Sequence, residues 1–144
     1  MSMSILNEEA LTVLGIHARA SNAAPQKIGD LWRRFQALGN AGAIGNRHSD
    51  EVFSVYCEYD GDYTGEYTVV IGCAVDADAA VPEGMKKIEI QAGRFAVIEP
   101  IGELPMSIWE TWAQIWNSQL DRLYHADYDK YGSDGKVSVH VGVR

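Results

Sequence analysis

The sequence is poor in the features that mark several functional classes. Its 144 residues include only two cysteines, Cys57 and Cys73, too few for a disulfide framework and not in a C-x-x-C pair, so both read as small buried hydrophobes. Positive charge is scarce: 12 Lys and Arg stand against 20 Asp and Glu, for a formal net charge of −8 and a pI near 4.8. Such a balance repels phosphate backbones, and no basic run exceeds Arg33-Arg34 or Lys86-Lys87, which argues against direct nucleic-acid binding. No apolar run approaches the roughly 18 residues of a membrane span. Met1–Thr12 contains Glu8 and Glu9 but neither the basic nor the apolar segment of a signal peptide, so a cytoplasmic location without membrane contact is expected.

Metal and cofactor signatures are equally scarce. His17, His48, His125 and His140 are dispersed without i, i+4 pairing, so no metal site is assigned. The segment Asp60-Gly61-Asp62-Tyr63-Thr64-Gly65 resembles the opening of a calcium loop. The twelfth position, which needs a bidentate Glu, is Ile71, and calcium is rejected. The glycines of Gly39–Gly45 follow a helix pattern and precede a strand, the wrong order for a phosphate cradle. No nucleophile elbow or Walker loop is present, and no cofactor is implied.

What the chain has is aromatic residues: four Trp, seven Tyr and three Phe in a composition that is 47% hydrophobic and 22% charged. Indole and phenol rings on an acidic protein attract organic cations. The length suits one domain, residues 1–144, with a sizeable core.

Along the chain, strand patterns at 12–20, 52–59, 67–75, 95–99, 127–131 and 137–143 alternate with two helix patterns. The first helix starts at Pro25, presents Ile28, Leu31, Trp32, Phe35 and Leu38 on one face and stops at Gly39. The second starts near Pro105 and presents Ile108, Trp109, Trp112, Ile115 and Trp116. Both helices share P-x-x-I-x-x-x-W-x-x-[FI], so the chain reads as β-α-β-β written twice, over about 11–76 and 88–144, with Asp76–Lys87 as a polar linker. The expected fold is α+β: a mostly antiparallel sheet, two helices on one face, and a ligand groove between them.

The motifs Ile28-Gly29-Asp30-Leu31-Trp32, Val55–Tyr59, Tyr67–Val75, Val81–Met85, Gly93–Val97, Trp109–Trp116 and Tyr128-Asp129-Lys130-Tyr131, in that order, resemble the gyrase-inhibitor-like (GyrI-like) small-molecule-binding family. The same fold serves as the effector-binding domain of AraC-type and MerR-type multidrug regulators. The chain is also similar to stand-alone members on mobile integron gene cassettes, for which cationic drug binding has been proposed. The resemblance covers about Leu11 to Arg144. It implies an aromatic pocket with an acidic residue for lipophilic cations, and that acid falls on Asp129, where the family has Glu.

The residues themselves support parts of that site. In a strand, Asp129 and Tyr131 share one face. On the second helix Trp112 lies at the centre of the apolar arc, a core position, while Trp109 and Trp116 lie one heptad apart on its flank as groove walls. Glu110 points away from the arc, towards solvent. Tyr56 and Glu58 share one strand face, facing groove or water, while Val55, Cys57 and Tyr59 form the core face. Glu110 and Glu58 are the other carboxylates available to a cation. The expectation is a non-enzymatic binder of organic cations. Hydrolysis of electrophilic small molecules, with a pocket carboxylate as general base, and a sensor or inhibitor role on a protein partner are the alternatives. Exposed strand edges are compatible with a homodimer.

Overall fold

A computed structural model describes residues 3–144; Met1 and Ser2, the start of the expected domain, lie outside the described residues. The elements in chain order are β1 (Met3–Glu8), β2 (Leu11–Ser21), α1 (Gln26–Ala37), β3 (Val52–Cys57), β4 (Glu66–Ala74), β5 (Met85–Ile90), β6 (Gly93–Ile98), α2 (Met106–Trp116), β7 (Ala126–Tyr131) and β8 (Val137–Val143). The eight strands form one antiparallel sheet in the order β1-β6-β8-β7-β3-β4-β2-β5. This is the α+β arrangement that the repeat predicts, with β2-α1-β3-β4 and β6-α2-β7-β8 as the two copies.

Two strands were not expected. β1 precedes the first copy yet pairs with β6 of the second, and β5 precedes the second copy yet pairs with β2 of the first. Each copy therefore lends its leading strand to the other. β1 carries only a mixed pattern, Met-Ser-Ile-Leu-Asn-Glu, with Met3, Ile5 and Leu6 all more than two-fifths exposed, so no alternation marks it. β5 begins inside the stretch read as linker and contains two adjacent lysines.

The copies meet where β3 pairs with β7, Ser54 lying opposite Asp129 and Tyr56 opposite Asp127. On the helix side of this seam, α1 buries Leu31 and Phe35 against Ile16, Val69 and Ile71. Ile108, Trp112 and Ile115 of α2 pack against Ile98, Val139 and Val141. Pro25 stands at the cap of α1, and Gly39, at φ 108°, ends the turn that follows it. The opposite side of the sheet curls on itself, because Val13 and Ile90 from one edge share a buried cluster with Phe95 from near the other.

Gly15 of β2 and Gly72 of β4 face one another in register on neighbouring strands, and their backbones approach closely. A Cβ on Gly15 would overlap the Ile71 carbonyl, and one on Gly72 would overlap that of Leu14. The neighbouring atoms are main chain in a buried sheet and have nowhere to go. Gly72→Ala should lower stability in urea denaturation by about 2–3 kcal/mol. Gly93→Ala, where a Cβ meets nothing within 4 Å, should be near neutral. Equal stability of the two variants would show that the β2/β4 contact has room for a side chain at Gly72.

Candidate functional site

A cavity of about 640 Å³ opens between the helices above the β3/β7 seam, within the size range of small-molecule sites. All four tryptophans and five of the seven tyrosines line it. Strand alternation makes its floor: Tyr56 of β3 and Asp129 and Tyr131 of β7 project to the helix side. α1 contributes Ile28, Trp32 and Gln36, and α2 contributes Ile108, Trp109, Trp112 and Trp116.

At the base, Asp129 is 0% exposed. The Tyr56 hydroxyl donates to its Oδ2 at 2.7 Å and the Trp112 indole N–H to its Oδ1 at 2.8 Å, with the Tyr131 hydroxyl at 3.5 Å from Oδ2. None of the ion pairs among the described residues includes it. Burial pushes its carboxyl up to about 6; the hydrogen bonds from Tyr56, Trp112 and Tyr131 pull the other way, and the nearby Asp127 adds to the rise. Two residues earlier, Asp127 is equally buried but fully partnered, accepting from Tyr59 at 2.6 Å, Arg122 at 2.8 Å and the Gly142 N–H at 2.8 Å.

The rings brace one another. Tyr56 meets Trp112 and Tyr67 edge-on, Trp32 meets Tyr131 edge-on, and Tyr63 stacks on Trp116 at 6.1 Å with 7° between planes. Asn22 ties the far end, accepting from the Tyr67 hydroxyl at 2.6 Å and donating to the Tyr63 carbonyl at 2.7 Å. The rim near the start of α2 is apolar and open, with Leu104 and Trp109 nearly half exposed.

Of the site residues expected from the sequence, Asp129, Tyr131, Tyr56, Trp109, Trp112 and Trp116 line this cavity. Trp112 is a core residue that also offers its indole N–H to the acid. Glu110 and Glu58 do not line it. Glu110 lies on the exposed side of α2. Glu58 stands just past the end of β3 with φ 51°, is exposed, and pairs with Lys86 at 3.1 Å. That left-handed residue also breaks the alternation, so Tyr59, read from the sequence as core, turns to the cavity side instead. Trp32, Tyr59, Tyr63, Tyr67, Asp127 and Arg122 were not singled out. Two signals were available: Trp32 is the repeat counterpart of Trp112, and Asp127 alternates with Asp129. Tyr63 lies in the acidic hairpin turn, which looks only solvated in sequence. Among the described residues no group of three or more His, Cys, Asp or Glu could hold a metal ion, and no helix is long and apolar enough to cross a membrane.

Residues 4–137 match the family of integron-associated effector-binding proteins. The chain belongs to that family. Among solved structures, the chain is similar to an integron cassette protein from the mobile metagenome of Vibrio cholerae, with 26% identity, 99% of this chain and 95% of that one covered, and a TM-score of 0.79. SAV2435, solved bound to tetraphenylphosphonium, shares the fold at 16% identity, 100% and 94% coverage and a TM-score of 0.79. YobU of Bacillus subtilis, which carries the name of a putative transcriptional regulator, is 24% identical to this chain over 144 residues, 90% of each chain.

The buried acid sets a sign for stability. The Asp129 carboxyl ordinarily titrates near 3.8 and here near 6, so its neutral form contributes stability that is fully present below about pH 4 and is lost as the pH rises through 6. The rise corresponds to roughly 3 kcal/mol at neutral pH. Asp129→Asn, which keeps the shape without the charge, should therefore be more stable than wild type by up to that order at pH 7.5. The advantage should shrink to little near pH 4 in urea melts run across the range. A variant less stable than wild type at pH 7.5 would contradict the unfavourable burial of the charge.

Proposed function

We propose that this protein is a non-enzymatic receptor for lipophilic organic cations, bound in the aromatic cavity with the charge against Asp129. One observation carries the reading: a fully buried carboxylate, without a counter-ion among the described residues, at the base of a cavity walled by indole and phenol rings. Tyr56, Trp112 and Tyr131 orient the carboxylate; Trp109 and Trp116 offer ring faces on the α2 side. A ring face within about 6 Å of a cation contributes roughly 0.5–2 kcal/mol. An ion pair at about 4 Å in partly buried surroundings adds about 4 kcal/mol before desolvation. Two rings and the carboxylate together sum to roughly 5–8 kcal/mol before desolvation, against about 8 kcal/mol for a micromolar complex, so burial of the ligand's own apolar groups has to supply the remainder. Tetraphenylphosphonium bound to SAV2435, a protein of the same fold, supports this ligand class. The relatives' names, effector-binding proteins and regulators, favour a binding role over hydrolysis.

Because every tryptophan lines the cavity, tetraphenylphosphonium should change the intrinsic fluorescence saturably, with a micromolar Kd at pH 7.5. Affinity should fall about tenfold at one pH unit below the carboxyl's titration near 6, since a neutral acid does not attract the cation. Asp129→Asn should bind at least tenfold more weakly and lose that pH dependence. Unchanged affinity in the variant, or no response at tens of micromolar ligand, would defeat the reading.

A further inference from the structure

Asp127 lies two residues before Asp129, on the same strand and the same side of the sheet, and is also 0% exposed. It already holds a cation. Nη2 of Arg122 donates to its Oδ2 at 2.8 Å, and the guanidinium carbon lies 4.2 Å from the ring centroid of Tyr124, 5.7 Å from that of Trp112 and 6.0 Å from that of Tyr59. A buried carboxylate ringed by aromatic faces is the same construction that Asp129 offers an external ligand. Here the occupant is the chain's own side chain, and it reaches the cavity wall.

The hold on that occupant is not one of matched hydrogen bonds. Nε and Nη1 of Arg122 are buried without a partner among the described residues, although a guanidinium carries five N–H donors. Charge and ring faces hold it, with a single hydrogen-bonding nitrogen on the acid, and unpaired buried donors are a standing cost. A cation with fewer donors would satisfy the same cage.

We propose that Asp127, with Tyr59, Tyr124 and Trp112, is a second cation subsite, and that Arg122 fills it from within and thereby restricts the cavity to singly charged ligands. The restriction rests on the reading of Asp129 as the first subsite; the cage around Asp127 does not. Two residues of strand separate the acids by roughly 6.6–6.8 Å. A ligand with two cationic heads at that spacing finds one carboxylate free and meets a guanidinium at the other. The Trp112 side chain stands between the subsites, its N–H on Asp129 and its ring beside Arg122. Removing the guanidinium opens the second cage.

The test uses full-length wild type, Arg122→Ala and the double variant Arg122→Ala/Asp127→Asn. Bis(trimethylammonium) alkanes of four to eight methylenes are compared with alkyltrimethylammonium ions of equal chain length by tryptophan fluorescence. Millimolar methylguanidinium, the missing head group, is followed by thermal melting. Wild type should gain nothing from the second charge and show no methylguanidinium response. Arg122→Ala should prefer the two-headed ligand by at least tenfold and gain a saturable rise in Tm with methylguanidinium. The double variant, which leaves no lone buried acid at this position, should show neither effect. A folded Arg122→Ala with wild-type preference overturns the proposal. So does an unfolded one that methylguanidinium fails to rescue on refolding, or a double variant that responds like the single one. Wild type that binds no tetraphenylphosphonium, alongside intact rescue of Arg122→Ala, would sink the Asp129 reading and leave the Asp127 subsite supported.

Discussion

A carboxylate without a counter-ion inside an apolar cavity is the constraint around which this molecule is arranged. Desolvation alone would drive Asp129 to neutrality; the hydroxyl of Tyr56 and the indole N–H of Trp112 hold enough of the charge in place to keep its titration near 6 rather than higher. The result is an acid that is ionised at neutral pH yet poorly compensated. On the proposed reading, a lipophilic cation would supply the interaction that the fold withholds, and a small hydrated ion would be disfavoured because it would have to shed its water against rings.

The repeat explains how the acid comes to be reached from several sides. Ser54 and Asp129 are register partners at the middle of the β3/β7 seam, and Tyr56 and Tyr131 stand two residues beyond them on their respective strands. The two tyrosines therefore come from the two copies, one on each strand of the seam, and both hydroxyls point at one carboxylate. Trp112 and Trp32 are counterparts in the repeat, but they diverge in use: Trp112 donates to Asp129, whereas Trp32 packs edge-on against Tyr131. The reciprocal exchange of β1 and β5 joins the copies at both ends of the sheet, which holds the seam as a fixed floor. One acid at the seam, with Ser54 as its register partner on β3, makes the floor of the cleft polar on the β7 side.

Much of this was legible in the residues. The 3.6-residue spacing in the two helices and the shared Pro, Ile and Trp positions give the α+β repeat, and alternation in β7 puts Asp129 with Tyr131. What escaped did so for local reasons. The exchanged strands follow from long-range pairing, which no short window encodes; β1 lacks alternation, and β5 looks like linker because two lysines interrupt it. Tyr59 escaped because one left-handed residue, Glu58, resets the face of everything after it. Arg122 escaped because a lone arginine between a helix and a strand looks solvent-exposed until its partner Asp127, five residues away, is seen to be buried.

The acidic composition and the site act at different ranges. Of the 20 acids in the chain, Asp127 and Asp129 are the two buried among the described residues, and one of these is neutralised by Arg122. The remaining surface charge raises the local concentration of cations, an effect that salt screens over about 8–10 Å and that does not distinguish one cation from another. Asp129 lies in a dry, ring-lined space where screening is weak, so under the proposed reading it acts at short range and favours cations that lose little on shedding water. The acid excess acts on any cation near the molecule; the proposed discrimination between cations would fall to Asp129 and to the Arg122 guanidinium held beside it on Asp127.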